Sequence, residues 1–313
     1  MPADHENSAV FASLESLIQD KYQAYRLDYA TGKKTSKMHH GDMHSIFKGR
    51  GMEFDEVRQY QNGDDARLVD WRLTAKLGKV YTKVFTEERD RKIWFLMDMR
   101  SSMKFGTKQA FKSVIAAHVM AMIAWFFWEK ASKIGGIVLT EKGMKEFKPS
   151  HLRSKVMRFF GSVSQNTKQE NFFENMNQNT LAQACVKLRH ICRNGNVIFI
   201  ISDFFDVDDE AFKCIASLAR TNEVVFINIY DVLEGRCPTP NVYLVSDGHN
   251  HVVLDTRQKD IHDMYIHHFF KRLLRVRDFT MSYNIRYIPV SSDMDYYAVV
   301  AKMMQRAKKR YNR

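Results

Sequence analysis

Cysteine is scarce in this 313-residue chain, and its spacing excludes several classes of protein. The four cysteines are Cys185, Cys192, Cys214 and Cys237, and no two of them form a C-x-x-C pair. Three of the four fall in predicted helices, and structural zinc sites commonly use closely spaced cysteine pairs, so neither a disulfide framework nor a zinc site is expected. We therefore expect four reduced cysteines in a cytoplasmic protein.

Long hydrophobic runs are also missing. The most apolar stretch, residues 116–128, is shorter than the ~20 residues that a membrane-spanning helix needs. The N-terminus carries Asp4 and Glu6 and has no apolar segment typical of a signal peptide. We expect no transmembrane segment and a location in the cytoplasm.

Three catalytic motifs are absent from the sequence. There is no G-x-x-x-x-G-K-[ST] loop, which would cradle the phosphates of a nucleotide. There is no H-E-x-x-H pair for a zinc protease and no G-x-S-x-G elbow for a hydrolase. The many Ser, His and Asp residues suggest no triad, so we expect a protein that is not an enzyme.

Positive charge is in surplus, with 48 Lys and Arg against 36 Asp and Glu and a net charge of +12. This surplus favours acidic partners, such as a protein surface, nucleic acid or an anionic membrane. A predicted amphipathic helix over residues 261–280 contains Lys271, Arg272, Arg275 and Arg277. Because no stacking aromatic positions are evident beside them, nucleic-acid binding is not expected, whereas peripheral membrane contact stays open.

Short apolar runs typical of buried strands alternate with helical patterns from residue 93 onwards. The strand patterns cover residues 93–97, 134–140, 144–148, 196–201, 223–230 and 284–290, and a small hairpin covers 242–245 and 252–254. The helical patterns cover residues 108–130, 151–161, 180–193, 208–220, 261–280 and 296–311, whereas the polar residues 162–179 indicate a loop. This alternation predicts an α/β fold with a doubly wound, mostly parallel sheet.

The residues before this sheet form an N-terminal helical and small β extension. Residues 8–29 have helical spacing, residues 79–85 alternate as a strand, and residues 49–71 indicate neither a plain helix nor a plain strand. We expect three parts. They are an N-terminal helix and basic linker (1–48), a segment packed on the main domain (49–91), and the main domain with its C-terminal basic helix (92–313).

Acidic residues follow three of the predicted strands, at Asp98, Asp203 and Asp231. Each acid alone could cap the helix that follows it. Together, the carboxyl ends of parallel strands form the edge where open α/β sheets bind ligands. Asp98 and Ser102 are spaced to place two oxygen ligands on one turn, which suits a hard cation such as Mg²⁺.

The pattern Asp98-x-Arg100-x-Ser102, followed later by Thr180 and Asp203, resembles the metal-ion-dependent adhesion site of von Willebrand factor type A domains. The resemblance implies metal ligation by Asp98, Ser102, Thr180 and Asp203. Arg100 replaces a serine of the family pattern, so we expect Mg²⁺ or Mn²⁺ binding to be weak or absent. Two interpretations stay open: Arg100 swings outward, or its guanidinium takes the place of the ion and pairs with Asp98 and Asp203.

A longer signature between residues 49 and 89 resembles the bacterial domain of unknown function 58. Its matching polar and aromatic positions include Arg50, Glu53, Arg58, Asp64, Asp65, Asp70, Trp71 and Arg72, with Asp231 and Glu234 further along the chain. The resemblance implies a von Willebrand factor type A-like domain that works with MoxR-type AAA+ ATPases. It also implies an adaptor or chaperone-like partner for an unidentified client protein.

Three functions follow from these features. The first is a non-enzymatic adaptor that binds a MoxR-type AAA+ ATPase and a client through a degenerate adhesion site. The second is a Mg²⁺-dependent phosphoesterase that uses Asp98 and Asp203, for which the sequence supplies no convincing nucleophile or second metal cluster. The third is binding of nucleic acid or a membrane surface through the basic helix.

Overall fold

A computed structural model describes residues 9–31, 52–61, 64–87, 92–107, 109–168, 180–246 and 251–311. The chain divides into two compact units. The first, called the main unit here, comprises residues 1–35 and 91–313, and the second comprises residues 36–90.

The elements are numbered in chain order. The helices are α1 (Leu14–Thr31), α2 (Trp71–Leu77), α3 (Lys112–Trp128), α4 (Arg153–Thr167), α5 (Leu181–Ile191), α6 (Asp209–Ala219), α7 (Val232–Gly235), α8 (Lys259–Ser282) and α9 (Tyr296–Tyr311). The strands are β1 (Met52–Gln59), β2 (Tyr81–Glu87), β3 (Lys92–Asp98), β4 (Lys133–Thr140), β5 (Gly143–Ser150), β6 (Val197–Ser202), β7 (Glu223–Tyr230), β8 (Val242–Ser246), β9 (His251–Asp255) and β10 (Arg286–Ser291). Short 3-10 helices cover Ala66–Leu68 and Ser101–Met103.

The main unit is built on a six-stranded sheet with the order β10-β7-β6-β3-β4-β5. All neighbouring strands are parallel except β5, which runs antiparallel to β4. The central strands β3 and β6 are buried along almost their whole length, as expected of parallel strands covered on both faces. The prediction of an α/β fold with a mostly parallel sheet is confirmed.

Alternate side chains of β3 point to opposite faces of the sheet, and helices cover both faces. Phe95 lies in a core with side chains from α1, α3, α4 and α9, whereas Leu96 lies in a core with α5, α6 and α8. Helix α3 is buried almost all round over its first fourteen positions, which include the polar residues Lys112 and Ser113. Among the described residues, no helix combines the length and apolarity needed to cross a bilayer.

The second unit contains an antiparallel pair, β1 and β2, and the short helix α2. The sequence analysis found no plain strand over residues 49–71, and this was wrong for β1. A bulge between Phe54 and Glu56 shifts the register against β2. Because the bulge inserts a residue, the apolar positions Phe54 and Val57 no longer keep a spacing of two, which hides the strand from a periodicity analysis.

Helix α4 extends to residue 167, whereas the sequence analysis predicted a loop from residue 162. The polar residues at its end are buried because the N-terminal segment lies on them. Ala12 donates its backbone N–H to Thr167 Oγ1 at 3.0 Å, and Ser164 Oγ donates to the carbonyl of Ala12 at 2.7 Å. These contacts between distant parts of the chain satisfy side chains that are otherwise typical of a loop.

A buried carboxylate joins α1 to two other helices. Asp20 Oδ2 lies 2.7 Å from His118 Nδ1 on α3, and Tyr297 on α9 donates its hydroxyl to Asp20 Oδ1 at 3.1 Å. Burial raises the pKa of Asp20, which the hydrogen bonds from His118 and Tyr297 only partly offset. Trp125 Nε1 also donates to the carbonyl of Leu17 at 2.9 Å, so α1 is fixed to the main unit by polar contacts as well as by apolar packing.

We expect Asp20→Ala to lower the free energy of unfolding by about 1–3 kcal/mol, because it removes a buried acceptor and leaves its half-buried partners on α3 and α9 without it. The exposed Tyr22 on the same helix gives a control, since Tyr22→Ala should change stability by less than about 0.5 kcal/mol. Urea denaturation at pH 7 measures both. Equal stabilities of Asp20→Ala and the wild type would show that α1 does not depend on this carboxylate.

Candidate functional site

Three carboxylates meet at the carboxyl edge of the sheet. Asp98 ends β3, Asp203 follows β6, and Asp231 follows β7, and these three strands are neighbours. All three residues are buried, with at most 1% of their surface exposed. Burial of a carboxylate is costly unless hydrogen bonds or a cation compensate it, so the partners of each acid define the chemistry of this edge.

Arg100 is the cation that compensates Asp98. Its Nε lies 2.9 Å from Asp98 Oδ1 and its Nη2 lies 2.7 Å from Asp98 Oδ2, a two-pronged pair. The same guanidinium reaches Asp206, with Nη2 at 2.8 Å from Oδ1 and Nη1 in contact with Oδ2. Ser202 Oγ donates to Asp98 Oδ2 at 2.8 Å, so both oxygens of this buried carboxylate are occupied.

Asp203 has a different cation, the ammonium group of Lys112. Lys112 Nζ lies 2.8 Å from Asp203 Oδ2 and 2.6 Å from Glu234 Oε1, and its side chain is only 3% exposed. Phe205 donates its backbone N–H to Asp203 Oδ1 at 3.1 Å. Burial alone would raise the pKa of Asp203, but the charge of Lys112, with the hydrogen bonds, lowers it overall.

Arg272 on helix α8 connects the Lys112–Asp203 pair to that helix through Glu234. Arg272 donates from Nη2 to Glu234 Oε2 at 2.5 Å. Its guanidinium carbon lies 5.0 Å from the ring centre of Phe205 and 5.5 Å from that of Phe269, within the range of cation–π attraction. The edge of the sheet therefore carries two sets of ion pairs. One set joins Asp98, Arg100 and Asp206, and the other joins Asp203 to Lys112 on α3, Glu234 on α7 and Arg272 on α8.

Asp231 receives hydrogen bonds without a cation. Thr107 donates its backbone N–H to Oδ2 at 3.0 Å and its hydroxyl to Oδ1 at 2.6 Å, and Ser292 donates its hydroxyl to Oδ2 at 2.5 Å. Asp231 also caps α7 by accepting from Leu233 N, while Glu234 Oε1 accepts from Asp231 N in a capping box. Burial would raise the pKa of Asp231, but these donors outweigh it and lower the pKa.

The other two predicted metal ligands lie in local structure. Thr180 is the N-cap of α5, where its hydroxyl accepts from Gln183 N at 3.2 Å in a capping box. Ser102 lies half-buried in the 3-10 helix Ser101–Met103. Within the described ranges, neither hydroxyl is hydrogen-bonded to Asp98 or Asp203.

The donor set at this edge does not fit a divalent ion. Both oxygens of Asp98 and both oxygens of Asp203 already accept from Arg100, Lys112 or neutral donors. Two unit charges of the same sign 4 Å apart repel by about 4 kcal/mol at an effective dielectric of 20, and a divalent ion doubles this. The described part of the chain also contains no group of three or more His, Cys, Asp or Glu side chains arranged to hold a metal.

The sequence interpretation that paired Arg100 with both Asp98 and Asp203 needs a correction. Arg100 pairs with Asp98 and Asp206, whereas Asp203 pairs with Lys112. The reason is geometric: the two-pronged guanidinium follows the backbone turn from Asp98, and Lys112 approaches Asp203 from the start of α3.

Residues of the family signature in the second unit serve local structure. Arg58 Nη2 lies 2.7 Å from Asp64 Oδ1, Asp65 accepts from Arg67 N at 2.9 Å, and Asp70 caps α2. Trp71 is 69% exposed at the start of α2, and Arg72 is exposed beside it. Glu53 lies on β1 opposite Thr86, and Arg50 lies outside the described residues.

Sequence reasoning missed Lys112 and Asp206, and it assigned Arg272 only to a basic helix. One signal could have identified Lys112. A lysine in the first turn of an otherwise apolar helix opposes the helix dipole, which favours anions there, so it indicates a nearby carboxylate. Asp206 lies in an acidic loop after β6, and nothing in its spacing distinguishes it from Asp208 or Asp209.

The chain is an α/β protein with a mostly parallel six-stranded sheet and buried, ion-paired carboxylates at the carboxyl edge of that sheet. Residues 56–272 match the family described as "Protein of unknown function DUF58", and the chain belongs to this family.

The curated relatives from mycobacteria are described as uncharacterized proteins. The proteins Mb1516 of Mycobacterium bovis and Rv1480 of Mycobacterium tuberculosis are 26% identical over 230 residues, which cover 72% of this chain and 70% of each relative. Among solved structures, the conserved hypothetical protein BatB from Bacteroides thetaiotaomicron matches with a TM-score of 0.42 and 11% identity, over 70% of this chain and 99% of that one. A mutant of the PilB minor pilin from Streptococcus sanguinis matches with a TM-score of 0.35 and 10% identity, over 74% and 64%.

The lowered pKa of Asp231 makes a prediction about acid stability. A carboxylate whose pKa is lower in the folded state contributes stability above its unfolded pKa of about 3.9, and this contribution is lost as the pH falls through the folded pKa. We expect Asp231→Asn to be less stable than the wild type by about 1–3 kcal/mol at pH 7. The gap between the two proteins should narrow below about pH 4.

Urea denaturation between pH 2.5 and 7 measures this gap. Ser292→Ala removes one donor to Asp231, so it should show a smaller change in the same direction. A gap that stays constant down to about pH 2 would show that ionisation of Asp231 contributes nothing to stability.

Proposed function

We propose that this chain is a cytoplasmic, non-enzymatic adaptor with a von Willebrand factor type A-like domain, which binds a MoxR-type AAA+ ATPase and a client protein. The proposal places the binding surface at the carboxyl edge of the sheet. One observation carries it: the acids at this edge are held in ion pairs inside the protein, by Arg100 on Asp98 and by Lys112 on Asp203. In the proposal, these buried pairs hold the loops at this edge in place for a partner.

The same observation disfavours the phosphoesterase. A general base must be able to accept a proton from its substrate, and a metal-dependent hydrolase must present free oxygens to its ions. The oxygens of Asp98 and Asp203 instead accept hydrogen bonds from protein donors. Arg100 and Lys112 already supply the positive charge that a catalytic metal would bring.

Exposed aromatic side chains next to the ion pairs support a role in protein recognition. Phe205 follows buried Phe204, which has a φ of +51°, and Phe205 is 64% exposed. Phe105 is 42% exposed, and its ring centre lies 6.0 Å from Lys112 Nζ. Aromatic residues are enriched in the hot spots of protein interfaces, so these two rings are the anchors that we propose for a partner.

The basic helix gives less support to nucleic-acid or membrane binding. Arg272 is turned towards Glu234. Arg275 Nη2 lies 2.6 Å from Asp209 Oδ1, and its Nη1 donates to the carbonyl of Val207 at 3.1 Å. These arginines are engaged within the chain, which reduces the positive charge that α8 offers to a phosphate backbone or an anionic lipid surface.

The adaptor proposal is tested with the MoxR-type AAA+ ATPase of the same organism, purified and titrated with the purified chain by calorimetry. We expect saturable binding that survives moderate salt, together with a change in the rate of ATP hydrolysis. Phe205→Ser should weaken binding about tenfold or more, because it removes a proposed anchor.

Leu244→Ser is the matched control, since Leu244 is 72% exposed in the hairpin of β8 and β9 and should not affect the interaction. Absence of binding by the wild type, or equal losses in both variants, would contradict the proposal. Turnover of a phosphodiester with Mg²⁺ that disappears in Asp98→Asn would instead support the phosphoesterase.

A further inference from the structure

We infer that two side chains, Arg100 and Lys112, together replace the divalent ion that the adhesion-site pattern implies, so that the carboxyl edge of this protein is organised without metal. The inference deepens the proposed function, on which it rests only for the conclusion that partner binding at this edge is also independent of metal. The replacement of the ion by Arg100 and Lys112 is a property of the chain alone and does not depend on a partner.

The need for a cation at this edge comes from two buried acids on neighbouring strands. Met97 of β3 pairs with Ile201 of β6, and Asp98 and Asp203 come just after these two residues. Burial raises the pKa of Asp98, and the negative charge of Asp203 raises it further. Two carboxylates that share a dry site cannot both ionise without positive charge nearby. A divalent ion would supply two positive charges from solvent, whereas here the chain supplies one from Arg100 and one from Lys112.

Both cations are tethered, which distinguishes them from a bound ion. The backbone N–H of Arg100 donates to Asp98 Oδ1 at 3.2 Å, so the turn that follows β3 places the guanidinium on the carboxylate of its own strand. Lys112 is fixed by the first turn of the buried helix α3, and Glu234 holds its ammonium from the side of α7. Neither charge can be removed by a chelator.

Each cation pairs with a different carboxylate of the edge and also contacts a second acid. Asp206 accepts from the outer side of Arg100, and Glu234 accepts from Lys112 and from Arg272. Removal of Arg100 alone would therefore leave Lys112 on Asp203, where it still repels a divalent ion. Only loss of both cations would remove the positive charge from Asp98 and Asp203 together.

Manganese binding to the purified full chain tests the inference, with Mn²⁺ followed by electron paramagnetic resonance and thermal unfolding measured with EDTA, Mg²⁺ or Mn²⁺. The proteins compared are the wild type, Arg100→Ser, Lys112→Met and the double variant, with Arg100→Lys as the control that keeps the charge. We expect the wild type and Arg100→Lys to bind no Mn²⁺ at this edge and to unfold at the same temperature with EDTA or metal.

In the double variant, we expect Mn²⁺ at about 100 times its dissociation constant to raise the unfolding temperature by about 5–10 °C. Arg100→Ser should respond less than the double variant. A folded double variant that binds no more Mn²⁺ than the wild type would overturn the inference.

Measurements on the wild type test whether the edge binds metal even where a variant does not fold. Tight binding of Mn²⁺ by the wild type, with an EDTA-sensitive unfolding temperature, would overturn the inference, whereas no binding supports it. Because these measurements use the chain alone, failure of the ATPase to bind would contradict the proposed function and leave this result unchanged. Where the ATPase binds, equal affinities in EDTA and in Mg²⁺ are expected, and loss of affinity in EDTA would contradict metal-independent recognition.

Discussion

The carboxyl edge of the sheet depends on one constraint, which is that the two buried carboxylates of Asp98 and Asp203 must be neutralised. Charges taken out of water destabilise a protein unless they are paired and hydrogen-bonded. Arg100 and Lys112 meet this requirement, and each also contacts a second acid, Asp206 for Arg100 and Glu234 for Lys112. In this way two strand ends determine the contacts of three helices and a loop.

The main sheet could be predicted from sequence because its signal is local. Continuous apolar runs such as β6 and β7 alternate with helical patterns, and the resulting mostly parallel sheet follows from general rules of chain connection. Strand β1 could not be recognised, because a bulge at residues 54–56 breaks its period of two. The end of α4 could not be recognised either, because its polar residues are satisfied by Ala12, more than a hundred residues away.

In the candidate site too, the features with a local sequence signal could be predicted, and those that depend on the tertiary fold could not. Acids at strand ends are a local pattern, so Asp98, Asp203 and Asp231 could be singled out, as could the substitution at Arg100 within the adhesion-site pattern. The partner of each acid depends on the tertiary fold. Lys112 is 91 residues from Asp203, and no spacing in the sequence connects the two. The surroundings of Ser102 and Thr180, for which the resemblance implied metal ligation, depend on the same long-range geometry, and the Thr180 hydroxyl caps α5.

In the proposed adaptor, the chain's own side chains organise the recognition surface where an adhesion site would use an ion. The most direct measurement is a crystal structure of the protein grown with Mn²⁺, with anomalous diffraction recorded to locate the metal. We predict no anomalous peak between Asp98 and Asp203, with Arg100 paired to Asp98 and Lys112 paired to Asp203. A peak within about 2.3 Å of an oxygen of Asp98, with Arg100 turned away, would contradict it.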